Sequence, residues 1–162
     1  MQYDKIRRNP TQLLSLTGFT DREFEAFIPA FQYHWEAYYS CFTLKGKPRE
    51  RLSYNRKTSK LPMIRDKLLF ILSYLKNNPL QEYHGAFYGM TQPQCNDWIH
   101  LLCEILRKTL KSLGELPDRN HLRVQHLLEQ CSDILLDGTE RPIERPKDGE
   151  KQRSCYSGKK NS

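Results

Sequence analysis

Residues 133–145 read DILLDGTERPIER. The apolar run Ile134-Leu135-Leu136 has the composition of a short strand, and it stops on a carboxylate, Asp137. An acid at the end of a strand has two common uses. It can accept backbone N–H groups in an Asx turn, which Gly138 and Thr139 favour. It can also hold a divalent cation with acids from other strands. Hard oxygen ligands suit magnesium, and two ions about 4 Å apart serve the attacking and leaving oxygens of phosphodiester chemistry. Taken alone, Asp137 fits the turn better. Glu140 adds little to a metal site, and Asp133 reads as a solvated residue ahead of the run.

A second stretch with chemical content is PLQEYHGAFYGMTQPQCNDWIHLL, residues 79–102. Two helices cross steeply only where their backbones come close. That requires a small residue in the first helix, a residue tolerant of positive φ in the turn, and apolar side chains filling the gap. Gly85 fits the first role and Gly89 the second. Met90, Cys95 and Trp98 are placed to point inward, and Thr91 to cap the second helix. The opposite side then carries Gln92, Gln94, Asn96 and Asp97. Side-chain amides donate and accept together, which suits adenine edges in a major groove, and a helix N-terminus favours phosphate. Thr91, Gln92, Gln94 and Asn96 are therefore the candidate base- and backbone-reading residues. Asp97 is adverse, because it repels phosphate unless it accepts from cytosine. An ordinary helical hairpin is the competing reading.

The bulk properties point to the same partner. The chain has 162 residues, a net charge of +7 and a pI near 9.2. Hydrophobic residues make up 38% and charged residues 28%, which favours a polyanion partner over a membrane. No stretch has the length of a membrane span. MQYDKIRRNP at the N-terminus lacks the apolar core of a secretory signal. The five cysteines form no CxxC pair and no zinc-module spacing with histidine, so they read as reduced thiols of a cytoplasmic protein.

The elements that must position these residues are mainly helical. Thr11–Leu16 reads as a short helix with Pro10 in its first turn, broken by Gly18. Thr20 and Glu23 form a capping box. The helix it starts carries an aromatic stripe of Phe24, Phe27, Phe31, Trp35 and Tyr38, with Pro29 expected to kink or break it. Residues 45–60 hold seven Lys/Arg and one acid, and read as a flexible basic linker in which Lys57 and Lys60 are candidate phosphate contacts. Pro62 opens a helix with Ile64, Leu68, Ile71, Leu72 and Leu75 on one face, ended by Asn77-Asn78-Pro79. A short helix over 79–87 and a long one over 91–113 follow. The long one carries the apolar stripe Trp98, Leu102, Ile105, Leu106, Leu110 and Leu113. Val124, Leu127 and Leu128 predict one more helix before the strand at 134–136. The divisions are 1–44, an N-terminal helical segment; 45–60, the linker; 61–114, the helix-turn-helix; and 115–162.

The stretch LLDGTERPIERPKDGEKQRSCYSGKK resembles the start of the catalytic domain in DDE-type transposases of bacterial insertion sequences. In that family a helix-turn-helix precedes a ribonuclease-H-like α/β fold, whose first strand ends in Asp followed by Gly or Ala, Thr and an Arg-Pro segment. The second strand begins near Tyr-Ser-Gly-Lys-Lys. Here these are Asp137 to Ile143 and Tyr156 to Lys160, and Leu61 to Gly114 resembles the accompanying helix-turn-helix. The resemblance implies a mainly α chain ending in the first one or two strands of an incomplete ribonuclease-H-like domain. It makes Asp137 the first of three metal-binding acids for Mg²⁺ or Mn²⁺, with hydrolysis and strand transfer at transposon ends. Arg141, Lys159 and Lys160 join the expected DNA contacts. The second Asp and the final Glu are not within residues 1–162, because Glu144, Asp148 and Glu150 fall in the loop between the first two strands. The expectation is a truncated or frameshifted product that binds terminal repeats in the nucleoid and is inactive alone, with no metal tightly held. A second-frame product would complete it, and a homodimer is the other expected protein partner. The alternatives are a stand-alone DNA-binding regulator, an accessory subunit of a split transposase, or a helical interaction module without DNA.

Overall fold

The computed structural model describes residues 1–50, 59–117, 120–129 and 147–154. Two compact units divide near Pro117. The first contains six helices among the described residues: α1 (Tyr3–Ile6), α2 (Pro10–Thr17), α3 (Asp21–Cys41), α4 (Ile64–Asn77), α5 (Gln81–Phe87) and α6 (Gln92–Leu113). The second contains α7 (His121–Glu129) and α8 (Gly149–Ser154). No helix among the described residues is long and apolar enough to cross a membrane. No strand occurs among them either; an isolated bridge joins Phe42 and Pro48. The strand expected at 134–136 lies outside the described residues, as do Asp137, Arg141, Lys159 and Lys160.

Most boundaries follow from local chemistry. Asn9 caps α2 by accepting from the Gln12 N–H at 3.2 Å, with Pro10 as its first residue. Gly18 ends it at φ 78°, a conformation with no penalty for glycine. The Thr20 capping box is present in both arms. The Thr20 N–H donates to Glu23 Oε2 at 2.8 Å, and the Glu23 N–H donates to Thr20 Oγ1 at 3.3 Å. α3 runs unbroken through Pro29, so of the expected kink or break the break does not occur. Phe24, Phe27 and Ile28 before it and Phe31 and Trp35 after it are all buried. Packing on both sides of the proline outweighs the single hydrogen bond it removes.

α4 occupies the centre. It touches α1, α2, α3 and α6, and every residue from Asp66 to Ser73 is buried. A helix apolar on one stripe alone would not require this, and the burial extends to two charged side chains. Asp66 Oδ1 accepts the Tyr3 N–H at 2.8 Å, which fixes α1 on α4. Tyr3 then stacks on Phe24 at 4.5 Å between centroids and donates its hydroxyl to Asp21 and Glu25. Arg65 completes that corner as a fork on Glu25, at 2.9 and 2.8 Å, holding the Glu25 carboxyl below its usual range. α1 has no periodicity to announce it in the sequence; four residues are too few. Leu75 and Leu113, expected on buried faces, are 51% and 47% exposed. Each sits in the final turn of its helix.

Residues 45–50, expected as the start of a flexible linker, turn back instead. The Thr43 N–H donates to the Lys47 carbonyl at 2.8 Å, the Arg49 N–H to the Cys41 carbonyl at 2.8 Å, and Gly46 takes φ 72°. The Arg49 guanidinium lies 4.0 Å from the centroid of the Tyr39 ring. Residues 51–58, Lys57 among them, lie outside the described residues. In the second unit, the predicted helix forms as α7. α8 covers part of the stretch expected to be a loop, and Asp148 Oδ1 accepts from the Glu150 N–H at 2.8 Å at its start.

Lys67 is the other buried charge, at 3% exposure. Its Nζ donates to the carbonyls of Leu61 at 2.7 Å, Pro62 at 3.3 Å and Met63 at 3.5 Å. It also lies 4.8 Å from the Trp35 ring and 6.0 Å from the Trp98 ring. Burial pulls its pKa down to about 8, with Asp66 pulling the other way. The unfolded chain therefore binds more protons than the folded one between pH 8 and 10.5. The charged ammonium costs stability at neutral pH, and that cost fades as pH rises through this window, by about 3 kcal/mol in all. Urea unfolding of the wild type and of Lys67→Met from neutral pH to the top of that window measures it. The wild type should gain stability relative to the variant as pH rises.

Candidate nucleic-acid interface

The pairing of α5 with α6 depends on how closely they approach at Gly85. A Cβ built there would lie 3.0 Å from the Met90 carbonyl oxygen and 3.2 Å from Cys95 Cβ. The Met90 N–H in turn donates to the Gly85 carbonyl at 2.9 Å. Gly89 takes φ 64°, as the turn requires. Met90, Cys95 and Trp98 are all buried, and burial pushes the Cys95 thiol up. The inward-facing set expected from the spacing is thus in place.

His84 and Tyr88 seat α5 on α4. His84 is 3% exposed, and its Nε2–H donates to the Phe70 carbonyl at 3.1 Å. Burial lowers its pKa from the usual imidazole value. The His84 ring packs against Phe70, Tyr74 and Tyr88 at 4.5 to 5.3 Å. α6 is seated against α3 by Trp98 stacking on Trp35 at 5.8 Å.

α6 opens with Thr91 at its N-cap and a capping box, in which the Thr91 N–H donates to Gln94 Oε1 at 3.1 Å. Thr91, Gln92 and Gln94 are exposed, and Asn96 is half-buried. The four are brought to one end of α6, but they do not form one free edge. Gln92 Nε2 donates to Gln81 Oε1 at 2.8 Å, and Gln81 Nε2 donates to Asn96 Oδ1 at 3.1 Å. Gln81, on α5, thus clamps two of the expected reading residues across the crossing. Spacing along α6 alone does not reveal a partner on the preceding helix. The cap engages Gln94 through its carbonyl oxygen and leaves its amide N–H groups, and Gln92 keeps its own carbonyl oxygen.

Lys60 stands beside the turn, with its Nζ 3.6 Å from the position a Cβ would take on Gly89. Farther along α6, His100, Glu104, Arg107 and Lys111 are exposed at helical spacing, with Arg107 paired to Glu104 at 3.0 Å. The sequence does not single these out, because the stripe mixes both signs of charge. Among the described residues no three His, Cys, Asp or Glu side chains come together as a metal site.

A short helix, a glycine turn at positive φ and a longer helix crossing it closely constitute a helix-turn-helix. Residues 59–112 match the family described as the helix-turn-helix of DDE superfamily endonucleases. That span includes α4, α5 and all but the last residue of α6. No curated protein and no solved structure matches the chain.

The crossing is sensitive to one methyl group. Gly85→Ala should destabilise the fold by about 1–3 kcal/mol, because the Met90 carbonyl has to move. Ala86→Gly, one residue away and exposed, should cost no more than about 1 kcal/mol. Thermal or urea denaturation of the two variants separates the effects. Equal losses would mean that no close approach exists at Gly85.

Proposed function

We propose that this chain binds double-stranded DNA through α5 and α6, as the N-terminal part of a DDE-type transposase acting on transposon terminal repeats. The observation that carries this reading is that the 59–112 family match falls on the helices whose crossing is built around Gly85 and Gly89. The positive balance of the chain and the placement of Lys60 at the turn support it. In this reading the first turn of α6 enters the major groove. Its backbone N–H groups and Thr91 approach phosphate, and the free edges of Gln92 and Gln94 meet bases. Asn96 acts through Gln81, holding Gln92 in position. Lys57 and Lys60 contribute sequence-independent phosphate contacts, and Arg141, Lys159 and Lys160 are proposed to add to them.

Asp137 is proposed as the first catalytic acid of the DDE set, and Mg²⁺ or Mn²⁺ as the metal of that chemistry. Asp137 lies outside the described residues, and no cluster among the described residues fits a metal. Recognition is therefore the part of the activity that the described helices support. A second copy of the chain or a second-frame product is the proposed protein partner.

Two sets of variants test the division of labour on an end sequence selected from a random duplex pool. Gln92→Ala with Gln94→Ala should weaken binding to the selected end more than to unrelated duplex, by roughly 1–3 kcal/mol per lost base contact. Lys57→Ala with Lys60→Ala should weaken binding to all duplexes alike. It should also lower the slope of log K against log salt by about 1.8, at about 0.9 for each lost phosphate contact. Equal loss on both DNAs from the glutamine variants would overturn base reading by that edge.

A further inference from the structure

The turn that follows α3 carries Lys45 and Lys47, both exposed. We propose that this turn is a second DNA-contacting arm, whose two lysines hold the phosphate backbone of the same duplex that α6 enters. The proposal rests on the DNA-binding reading above and adds a contact outside the 59–112 family match. The main chain of the arm is held in place. The Lys47 N–H donates to the Thr43 hydroxyl at 3.2 Å, and the Gly46 N–H to the Thr43 carbonyl at 3.0 Å. The Tyr38 hydroxyl donates to that same carbonyl at 3.2 Å. Arg49 is engaged in the stem, its Nε donating to the Phe42 carbonyl at 2.8 Å and its guanidinium lying over Tyr39. Lys45 and Lys47 enter no ion pair with a described residue. Arg49 therefore anchors the arm, and the lysines are the cations it presents. A backbone already fixed gives up little freedom on binding.

A cleft of about 600 Å³ lies between the arm and the first turns of α6. Lys45, Lys47 and Lys60 line it together with Gln94 and Asp97 of α6. Cations from two separate stretches thus share one surface with a residue of the proposed reading edge. The floor is closed: Trp35 and Trp98 are 6% and 7% exposed, and Tyr39 has Trp35 at 4.8 Å and the Arg49 guanidinium at 4.0 Å. What the cleft offers a partner is charge rather than ring faces. Lysines are point charges on long flexible stems. Three of them, exposed and spread over two stretches, suit a run of phosphates better than one small anion, which needs donors converging on it. They also outnumber the Asp97 carboxylate, which alone would repel a DNA backbone. The major groove, about 12 Å wide, is bordered by phosphates on both sides. An element standing beside the first turn of α6 therefore meets the backbone once that turn enters the groove, and such contacts fix register without reading sequence.

Fluorescence anisotropy with the selected end duplex and with an unrelated duplex, from about 50 to 200 mM salt, tests the arm. Lys45→Gln with Lys47→Gln should weaken binding to both duplexes by the same factor. It should lower the slope of log K against log salt by about 1.8, at about 0.9 for each lost phosphate contact. Its thermal midpoint should match the wild type, because neither side chain holds the turn. Arg8→Ala with Arg22→Ala removes the same charge from exposed positions at the opposite end of α3, where Arg7 pairs with Asp21. The 21 residues of α3 set its ends about 30 Å apart, roughly three screening lengths at 0.1 M salt. That variant should keep the wild-type slope. If the wild type binds duplex and the lysine variant keeps its slope, the arm is overturned and the α6 reading stands. An equal slope loss in the arginine variant also overturns the arm, since overall charge would then account for the effect. A loss confined to the selected end overturns it too, because the lysines would then be reading bases. No duplex binding by the wild type sinks the α6 reading and the arm with it.

Discussion

At Gly85 the backbone of α5 and the residues that follow the turn come into contact with no side chain between them. The Met90 carbonyl and the Cys95 side chain occupy the space where a Cβ would be. This contact sets the angle at which α6 leaves the turn. The angle in turn decides which residues of α6 point inward, as Cys95 and Trp98 do, and which remain at the surface. A wider crossing would bury the same apolar residues less completely and rotate the first turn of α6 relative to α5. The Gln92–Gln81–Asn96 chain of amides bridges the same junction, so the geometry is held by hydrogen bonds as well as by packing.

The crossing is anchored to the rest of the unit by aromatic and cationic contacts. His84 and Tyr88 dock α5 on Phe70 of α4, and Trp98 docks α6 on Trp35 of α3. Lys67 sits where these meet, its ammonium shared among three carbonyls and two indole rings. Burying a charge is costly unless it is well solvated by the protein. Here the acceptors are the carbonyls just before α4, which begins at Ile64. The ammonium thus ties the start of α4 to α3 and α6.

Much of this is legible in the sequence because it depends on local chemistry. The Thr20–Glu23 box, the roles of Gly85 and Gly89, the inward set of α6 and the helix over 121–129 follow from residue types at fixed spacing. What is not legible depends on contacts made across the chain. α1 exists because Tyr3 finds Asp66, Asp21, Glu25 and Phe24. α3 survives Pro29 because both flanks are packed. The turn over residues 43–49 closes on Tyr39 rather than remaining a linker, because Arg49 finds the aromatic ring. For the candidate site, the amide-rich end of α6 is evident in the sequence, but its sharing with Gln81 is not. Asp137 and the motif around it remain a matter of sequence resemblance.

The claim at the centre is that the exposed first turn of α6, rather than the acidic or apolar surfaces, meets DNA. Backbone amide chemical shifts followed by NMR during titration with duplex DNA test it directly. The largest changes should fall on residues 91–97 and on Lys60, with α1 and α2 unmoved. Changes confined to α1, α2 or the outer face of α3, with residues 91–97 silent, would contradict it.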